Sequence, residues 1–481
     1  FPWHVLIPDV APPPVTLKTL NGDFSYDGNA YSVSVSGDAG GPAGDTRFAA
    51  KADGDAEQVR VSDIEIDTGG GGLSGEATID YATTVRWDAA VKLEQFDPSF
   101  WMPEIEATLS GAINSKGALP DSGPQVTADW DLKGDWKQQD ASTRGKLASD
   151  GGGWNLEALS VSVGENKVSG RGRWADQLEG KLALSLPELG QLWPGISGRL
   201  KGNVAVSGTP EKPGGKVSLS GDSLVLQGST IDEISLQGAL ARGETINLTA
   251  SAKGVKAGDQ LIGDVDAGLK GTRKAHQLDL KLVNPEVTVN LGFAGALADI
   301  WSGAISNGEV RTGDQVWQLE SAAELEYTGA GELTLGEHCW RWQTSSLCAS
   351  DQALLPDQKI NYTIKNFPMS ALAALWPENF RWQANLDGEI DLEMNEQGPD
   401  GKIRLDVGPG SFDIQQGEGW RSITYQTLTA EMDLTPKQAK LGVKLSGEQL
   451  GTMAINLKVD PSTDEKRIDG DYQLDDLKLG I

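Results

Sequence analysis

No stretch of this 481-residue chain approaches the ~18 uninterrupted apolar residues that a bilayer-spanning helix needs, so no segment reads as a transmembrane helix. Histidine is down to 3 residues, His4, His276 and His338, each isolated, which leaves a Ser-His-Asp relay without support. Aromatics make up 6% and hydrophobic residues 38%, below the usual globular share. A chain of this length folded as one compact domain would bury a deep core, and the shortfall bears on the architecture. Basic residues are also in deficit. Lys and Arg number 41 against 69 Asp and Glu, a net charge of −28. Nucleic acid is thereby excluded as a partner, since its phosphates need cations. The same charge argues against lying flat on an anionic membrane. It reads as a solvated acidic exterior. No Met and no signal peptide open the chain, so it reads as a piece of a longer one.

What is plentiful is glycine, at 60 residues, and two-residue alternation. Ile403, Leu405 and Val407 alternate with Lys402, Arg404 and Asp406, and Leu441, Val443 and Leu445 flank Lys444. Leu428, Ala430, Met432 and Leu434 precede them, and Met453, Ile455, Leu457 and Val459 follow. Side chains alternate faces along a strand, so each segment is apolar on one face and polar on the other. Glycine runs such as those at 68–73 and 150–154 read as turns between strands. The fold class is all-β. Read from the residues, two packed sheets forming a sandwich and one curled sheet with an internal groove both remain open.

A longer pattern overlies the strands. Trp101-Met102-Pro103, Trp193-Pro194 and Trp376-Pro377 each close an apolar turn ahead of a glycine-spaced strand, which points to a modular, elongated chain with units starting near 101, 193 and 376. Leu189, Leu192 and Trp193, and likewise Leu372, Leu375 and Trp376, have the spacing of about two helical turns. These elements are expected to plug or cross the apolar face. Leu297, Ile300 and Trp301 share the triplet, but that segment also fits a strand.

No Gly-x-Ser-x-Gly elbow occurs. Gly70-x-Gly72-x-x-Gly75 matches the dinucleotide fingerprint only formally, because Leu73, Ala77 and Ile79 continue a strand where a helix is required. Acidic pairs such as Asp475-Asp476 and Glu393 near Glu396 read as solvated surface. Hence no catalytic residue, metal or cofactor is assigned, and the chain is not expected to be an enzyme. The 2 cysteines, Cys339 and Cys348, flank a turn at 343–346. A hairpin disulfide, implying an oxidising compartment, is the favoured reading. A metal site with His338 and two free thiols are the alternatives.

Four stretches together resemble a known family. They are Val85-Arg86-Trp87-Asp88 to Leu93-Glu94-Gln95-Phe96-Asp97-Pro98; Leu192-Trp193-Pro194 with Gly198, Leu200, Gly202 and Gly208-Thr209-Pro210; Phe293, Gly295, Trp301-Ser302-Gly303, Gly313, Trp317 and Leu319 into Cys339-Trp340 and Leu347-Cys348; and Phe367-Pro368 to Trp376 with Leu386-Asp387-Gly388. Over roughly 85–410 the chain resembles the AsmA-like group of bridge-like lipid transfer proteins, in particular the middle of the inner-membrane subunit of a bacterial translocation and assembly module.

The resemblance implies one continuous elongated β-groove over 1–481, a curled sheet (β-taco) with an apolar concave lining and a few short helices. It implies a periplasmic segment of an inner-membrane-anchored envelope protein, with Cys339 and Cys348 oxidised. Phospholipid acyl chains would slide along the lining between the inner and outer membranes, sheltered by about 0.8 kcal/mol per methylene. The expected lining is Leu219, Leu224, Leu226, Ile234, Leu236, Ile246, Leu248, Leu278, Leu280, Leu282, Ile403, Leu405, Val407, Leu441, Val443, Leu445, Met453, Ile455 and Leu457. The alternative role is a chaperone-like scaffold for outer-membrane proteins. Either role implies a TamA-type outer-membrane partner, engaged outside this segment.

Overall fold

The computed structural model describes residues 16–41, 44–68, 70–97, 106–241, 244–298, 300–395, 398–417, 419–448, 450–460 and 468–476. The Trp-Pro element at 100–103 lies outside them. The chain divides into two compact units, Phe1–Asp264 and Val265–Ile481, and both are antiparallel β-structures, as the alternation requires.

In the first unit the strands form a meander. From Thr16–Tyr26 to Thr245–Ala257, consecutive strands pair in sequence order. The hairpins are made by short polar side chains that hold the turn. Asp27 Oδ1 accepts from the amides of Asn29 and Ala30 at 3.0 and 2.9 Å, and Asp55 Oδ1 accepts from Glu57 and Gln58 at 2.8 and 2.9 Å.

The second unit begins the same way, with Ala275–Val283, Val287–Leu297 and Trp301–Thr312. Three columns of broken strands follow. Trp301–Thr312 pairs with Gln315–Leu319 at one end and with Ala323–Tyr327 at the other. Leu333–Leu335 and His338–Trp342 make the next column, and Ser345–Ala349 with Gln352–Leu355 make the third. The buried Ala323, Leu335, His338, Ala349 and Gln352 flank the breaks. Polar groups freed there are re-satisfied: Glu337 N donates to Asp351 Oδ1 at 3.1 Å, and Gln352 Nε2 donates to the Asn361 carbonyl at 3.0 Å. Gln358–Pro368 closes this region, and long strands resume through Ile468–Asp475.

Of the two short apolar triplets, only the second makes about two helical turns, and it does so as 3₁₀ helix. The first is a three-residue 3₁₀ turn, Leu189–Gln191, and the second a 3₁₀ segment, Met369–Leu375. Leu297 and Trp301 lie on paired strands, so the third triplet is β-structure.

The chain exposes 29885 Å². A compact monomer of 51.0 kDa would expose about 17,000 Å², and two separate globules of half that mass about 21,000 Å² in total. The excess argues against sealed cores. Buried apolar side chains form two small clusters, Leu93, Phe96 and Leu132 in the first unit and Met369, Val407, Tyr425 and Leu445 in the second, with others such as Leu178, Leu186, Leu224 and Leu335 buried outside them.

Candidate functional site

Register decides which side chains share a face. In the first unit Leu184, Gly202, Leu219, Leu236 and Ala250 stand directly opposite one another across five strands. In the second, Tyr362, Ile390, Ile403, Met432, Leu441 and Leu457 form one row across six strands. Ile364, Gly388, Leu405, Ala430, Val443, Ile455 and Tyr472 form the adjacent row. Leu278, Leu280 and Leu282 face Phe293, Leu291 and Val289. The sequence-expected residues thus meet in rows within each unit.

Most of these side chains are neither buried nor free. Leu219, Ile234, Leu236, Ile246, Leu248, Leu278, Leu280, Leu282, Ile403, Leu405, Leu441, Val443, Met453, Ile455 and Leu457 are half-buried. Leu224, Val407 and Leu445 are buried, at 6%, 3% and 8% exposure, while Leu226 at its strand end is 44% exposed. Rows of half-covered aliphatics fit a sheet face left partly open to solvent.

The opposite face carries the charges. Arg144 pairs with Asp131, Lys253 with Glu233, Lys402 with Asp433, and Arg404 with both Glu389 and Glu431, all at well-exposed positions. Concavities on this side, of about 440 and 860 Å³, are lined by such residues as Arg171, Arg173, Glu179 and Lys181, and Arg199, Asp222, Glu233 and Lys253. Arg199 and Asp222 bond directly, which raises the arginine pKa further. Such pairs neutralise part of the charged face, while the net charge of −28 leaves the chain acidic.

Two features were not read from the sequence. First, β-bulges interrupt the alternation. Ser223 has φ +53° opposite Gly198 at φ +108°, and the register with Ile196–Gly208 shifts there. The extra residue returns Leu224 to the face of Leu219, which strict alternation would forbid. Gln95 at φ +50° does the same for Leu93 and Phe96, both buried. Amides released by such bulges find side-chain acceptors on the next strand. Gln95 N donates to Ser110 Oγ at 2.8 Å, Gly254 N to Asp264 Oδ1 at 2.9 Å, and Asn366 N to Asp387 Oδ1 at 2.7 Å. Positive-φ positions at Gln95, Ser223 and Asn366 leave little sequence signal.

Second, aromatic rings share the apolar face with the aliphatics. Trp87 lies against Gly117 and Trp130 against Gly145 of the neighbouring strand. Their Nε1 groups donate to Ser115 Oγ and Thr143 Oγ1, both at 3.0 Å. Many glycines of this chain are thus seats for rings inside strands, not turns. In the second unit Trp317, Trp342 and Phe367 contact one another at ring separations of 5.8 to 6.2 Å. These aromatics keep the same alternation as the aliphatics, which is the signal that would have found them.

Cys339 and Cys348 stand directly opposite and form a disulfide. They alternate with Trp340 and Leu347, so the bridge lies on the charged face beside Arg341, which pairs with Glu320. Both sulfurs are thereby withheld from a metal. His338 hydrogen-bonds the Gly336 carbonyl at 2.9 Å and the Tyr362 hydroxyl at 3.3 Å, and His276 Nε2 accepts from Trp301 Nε1 at 2.7 Å.

The Trp-Pro elements divide. Trp193 is 47% exposed, with Lys137 Nζ 4.4 Å from its ring, so it does not plug the apolar face. Trp376 packs on the cluster of Met369, Val407, Tyr425 and Leu445. It belongs to a flap made by two excursions from the main sheet. Phe380–Gln383 pairs with Gly410–Gln416, which pairs with Gly419–Tyr425. The flap covers the row end formed by Leu386, Val407, Leu428, Leu445 and Met453. Trp382 Nε1 donates to Tyr425 Oη at 2.8 Å inside it, and burial raises the Tyr425 pKa.

A family model described as "TamB, N-terminal domain" matches residues 4–481. The "Translocation and assembly module subunit TamB" of Haemophilus influenzae is 27% identical over 376 residues, covering 73% of this chain and 28% of that protein.

Proposed function

The chain belongs to the TamB family, and from that premise we propose that its apolar face carries phospholipid acyl chains across the periplasm between the inner and outer membranes. The observation that carries this reading is the half-covered state of the apolar rows. Each row offers methylene-to-aliphatic contact of about 0.8 kcal/mol per CH₂ while its edges stay wet. Successive rows repeat similar Leu, Ile and Val side chains, so a bound chain meets many positions of similar depth. Movement needs shelter without a trap, and this lining supplies it. Reading 1–481 as one continuous groove is part of the same proposal. So are the periplasmic location and a TamA-type outer-membrane partner.

The relative's name supports a second reading, in which the face shelters unfolded outer-membrane strands during assembly. One experiment separates the two. A photo-crosslinking residue is placed at Leu219, Ile403 or Leu441, and as controls at Lys402 and Lys444, in the full-length protein in cells. Acyl lipid captured only at the first three positions supports the conduit. Captured polypeptide supports the scaffold. No capture, or equal capture on both faces, overturns both readings.

A further inference from the structure

We propose that the flap is a built-in occupant of the apolar groove, and that Met369 and Leu372 set how many rows are open to a bound chain. This rests on the conduit reading and adds to it. Every other apolar row in the second unit's closing strands is half-buried: Ile403, Leu405, Leu441 and Val443 all remain partly open. Only at the row end do the side chains become buried, Val407 to 3% and Leu445 to 8%. What buries them is Met369 and Leu372 of the 3₁₀ segment together with Trp382, Phe412 and Tyr425. These groups occupy the space in which an acyl chain lying on the same strands would make the same contacts.

The flap is built as a separate body. Its three strands form their own sheet, with no ladder to the main sheet among the described residues. Met369 N donates to the Ala384 carbonyl at 2.9 Å and Gln426 N to the Ser446 carbonyl at 2.8 Å at its roots, and Gln315 Nε2 of the main sheet donates to the Ala371 carbonyl of the 3₁₀ segment at 3.3 Å. Internal bonds hold it together as a unit. Gln383 Nε2 donates to Asp413 Oδ2 at 2.9 Å, and Arg381 lies 3.9 Å from the Trp420 ring. The closed position also carries a penalty. Trp376 Nε1 is buried and, among the described residues, finds no acceptor. An open concavity of about 500 Å³ lies at the 3₁₀ segment and Phe380–Gln383, lined by Trp376, Phe380 and Trp382 together with Arg381, Gln383 and Asn385. A plate that shares no strand ladder with the main sheet among the described residues, and that leaves a donor unsatisfied when closed, can be displaced by a competing apolar chain without unfolding the main sheet.

The test uses photo-crosslinking in the full-length protein at Val407 and Leu445, with Ile403 and Leu441 as the uncovered reference. With the native flap, Ile403 and Leu441 are expected to label lipid at least tenfold more than Val407 and Leu445. The double variant Met369→Asp, Leu372→Asp should raise lipid labelling at Val407 and Leu445 to the reference level. Lipid at the reference positions with no gain at the covered row overturns the flap proposal alone. No lipid at any position sinks the conduit reading instead. Amide exchange on the unmutated protein is the second measure, independent of whether the variant folds. The amides of 380–383 and 410–425 should exchange at least tenfold faster than those of 385–395 and 398–407. Exchange of both sets at one common rate would rule out a separately opening flap.

Discussion

Trp130 lies against Gly145 on the adjacent strand so closely that a Cβ at Gly145 would stand 2.0 Å from the indole ring. The ring is held there by the bond from its Nε1 to Thr143 Oγ1 at 3.0 Å. Replacing Gly145 with Ala should therefore force the indole off Thr143 and cost about 1–3 kcal/mol, the usual range for overpacking. The check is the urea midpoint of Gly145→Ala beside Trp130→Ala and the double variant. If the steric account holds, Gly145→Ala should cost much less once the ring is gone. Equal losses in both backgrounds would show that the ring is not what requires glycine.

Charges placed on the apolar face should have graded effects. Leu280→Asp and Leu405→Arg stand at half-buried positions where the new charge can still reach water, so the fold should survive with a loss of about 1–2 kcal/mol. Val407→Asp, at a site only 3% exposed, should cost more, about 3–5 kcal/mol, because a charge is left buried without a partner. Lys402→Glu and Lys444→Glu on the charged face should change little. Thermal unfolding of the five variants reads this directly. Collapse at Leu280 and Leu405 as severe as at Val407 would mean a sealed core in place of an open face.

The disulfide should act locally. Cys339 and Cys348 are 9 residues apart, and closing so short a loop contributes about 2–3 kcal/mol in the chain-entropy picture. In Cys339→Ser, Cys348→Ser, amide exchange should quicken over 338–349, while lipid labelling at Ile403 and Leu441 stays unchanged, since the bridge lies on the charged face. Two alkylatable thiols in unreduced protein isolated from cells would contradict the bridge itself.

Acid sensitivity should start at the hairpins. Amides of Ala30 and Asn29 hold the Asp27 carboxyl below its ordinary range, and those of Glu57 and Gln58 do so for Asp55. Lys92 lowers Glu94 and Arg311 lowers Glu309 in the same sense. A carboxyl with a folded pKa below its unfolded value stabilises the fold above about pH 4, and that contribution is lost as pH falls through the folded value. Asp55→Asn keeps an acceptor for the turn but removes the titrating charge. The stability difference between Asp55→Asn and the unaltered chain should be constant from pH 7 to about 5 and should shrink below about pH 4. A difference that widens on acidification would reverse the assigned sign.

How much of this was legible beforehand follows from what alternation can and cannot encode. Strands such as Ala275–Val283 and Gly398–Val407 announce themselves, because a period of two in hydrophobicity is a local property of the chain. The apolar rows were legible for the same reason: in a meander each strand pairs with its sequence neighbour, so facing residues follow from adjacent segments. The Cys339–Cys348 bridge was legible as a hairpin contact. By contrast, the return of Leu224 to the face of Leu219 depended on the left-handed backbone at Ser223, which serine rarely adopts and does not advertise. The tertiary structure also separated Trp193 from Trp376, two residues in the same Leu-Trp-Pro context. One stays 47% exposed, and the other is covered because Gly410–Tyr425, a distant excursion, pairs with Phe380–Gln383 beside it. Period and composition determined that each unit is built of strands with one apolar face. Long-range packing alone decided where that face is open and where the chain covers it, because coverage depends on segments that no local pattern connects.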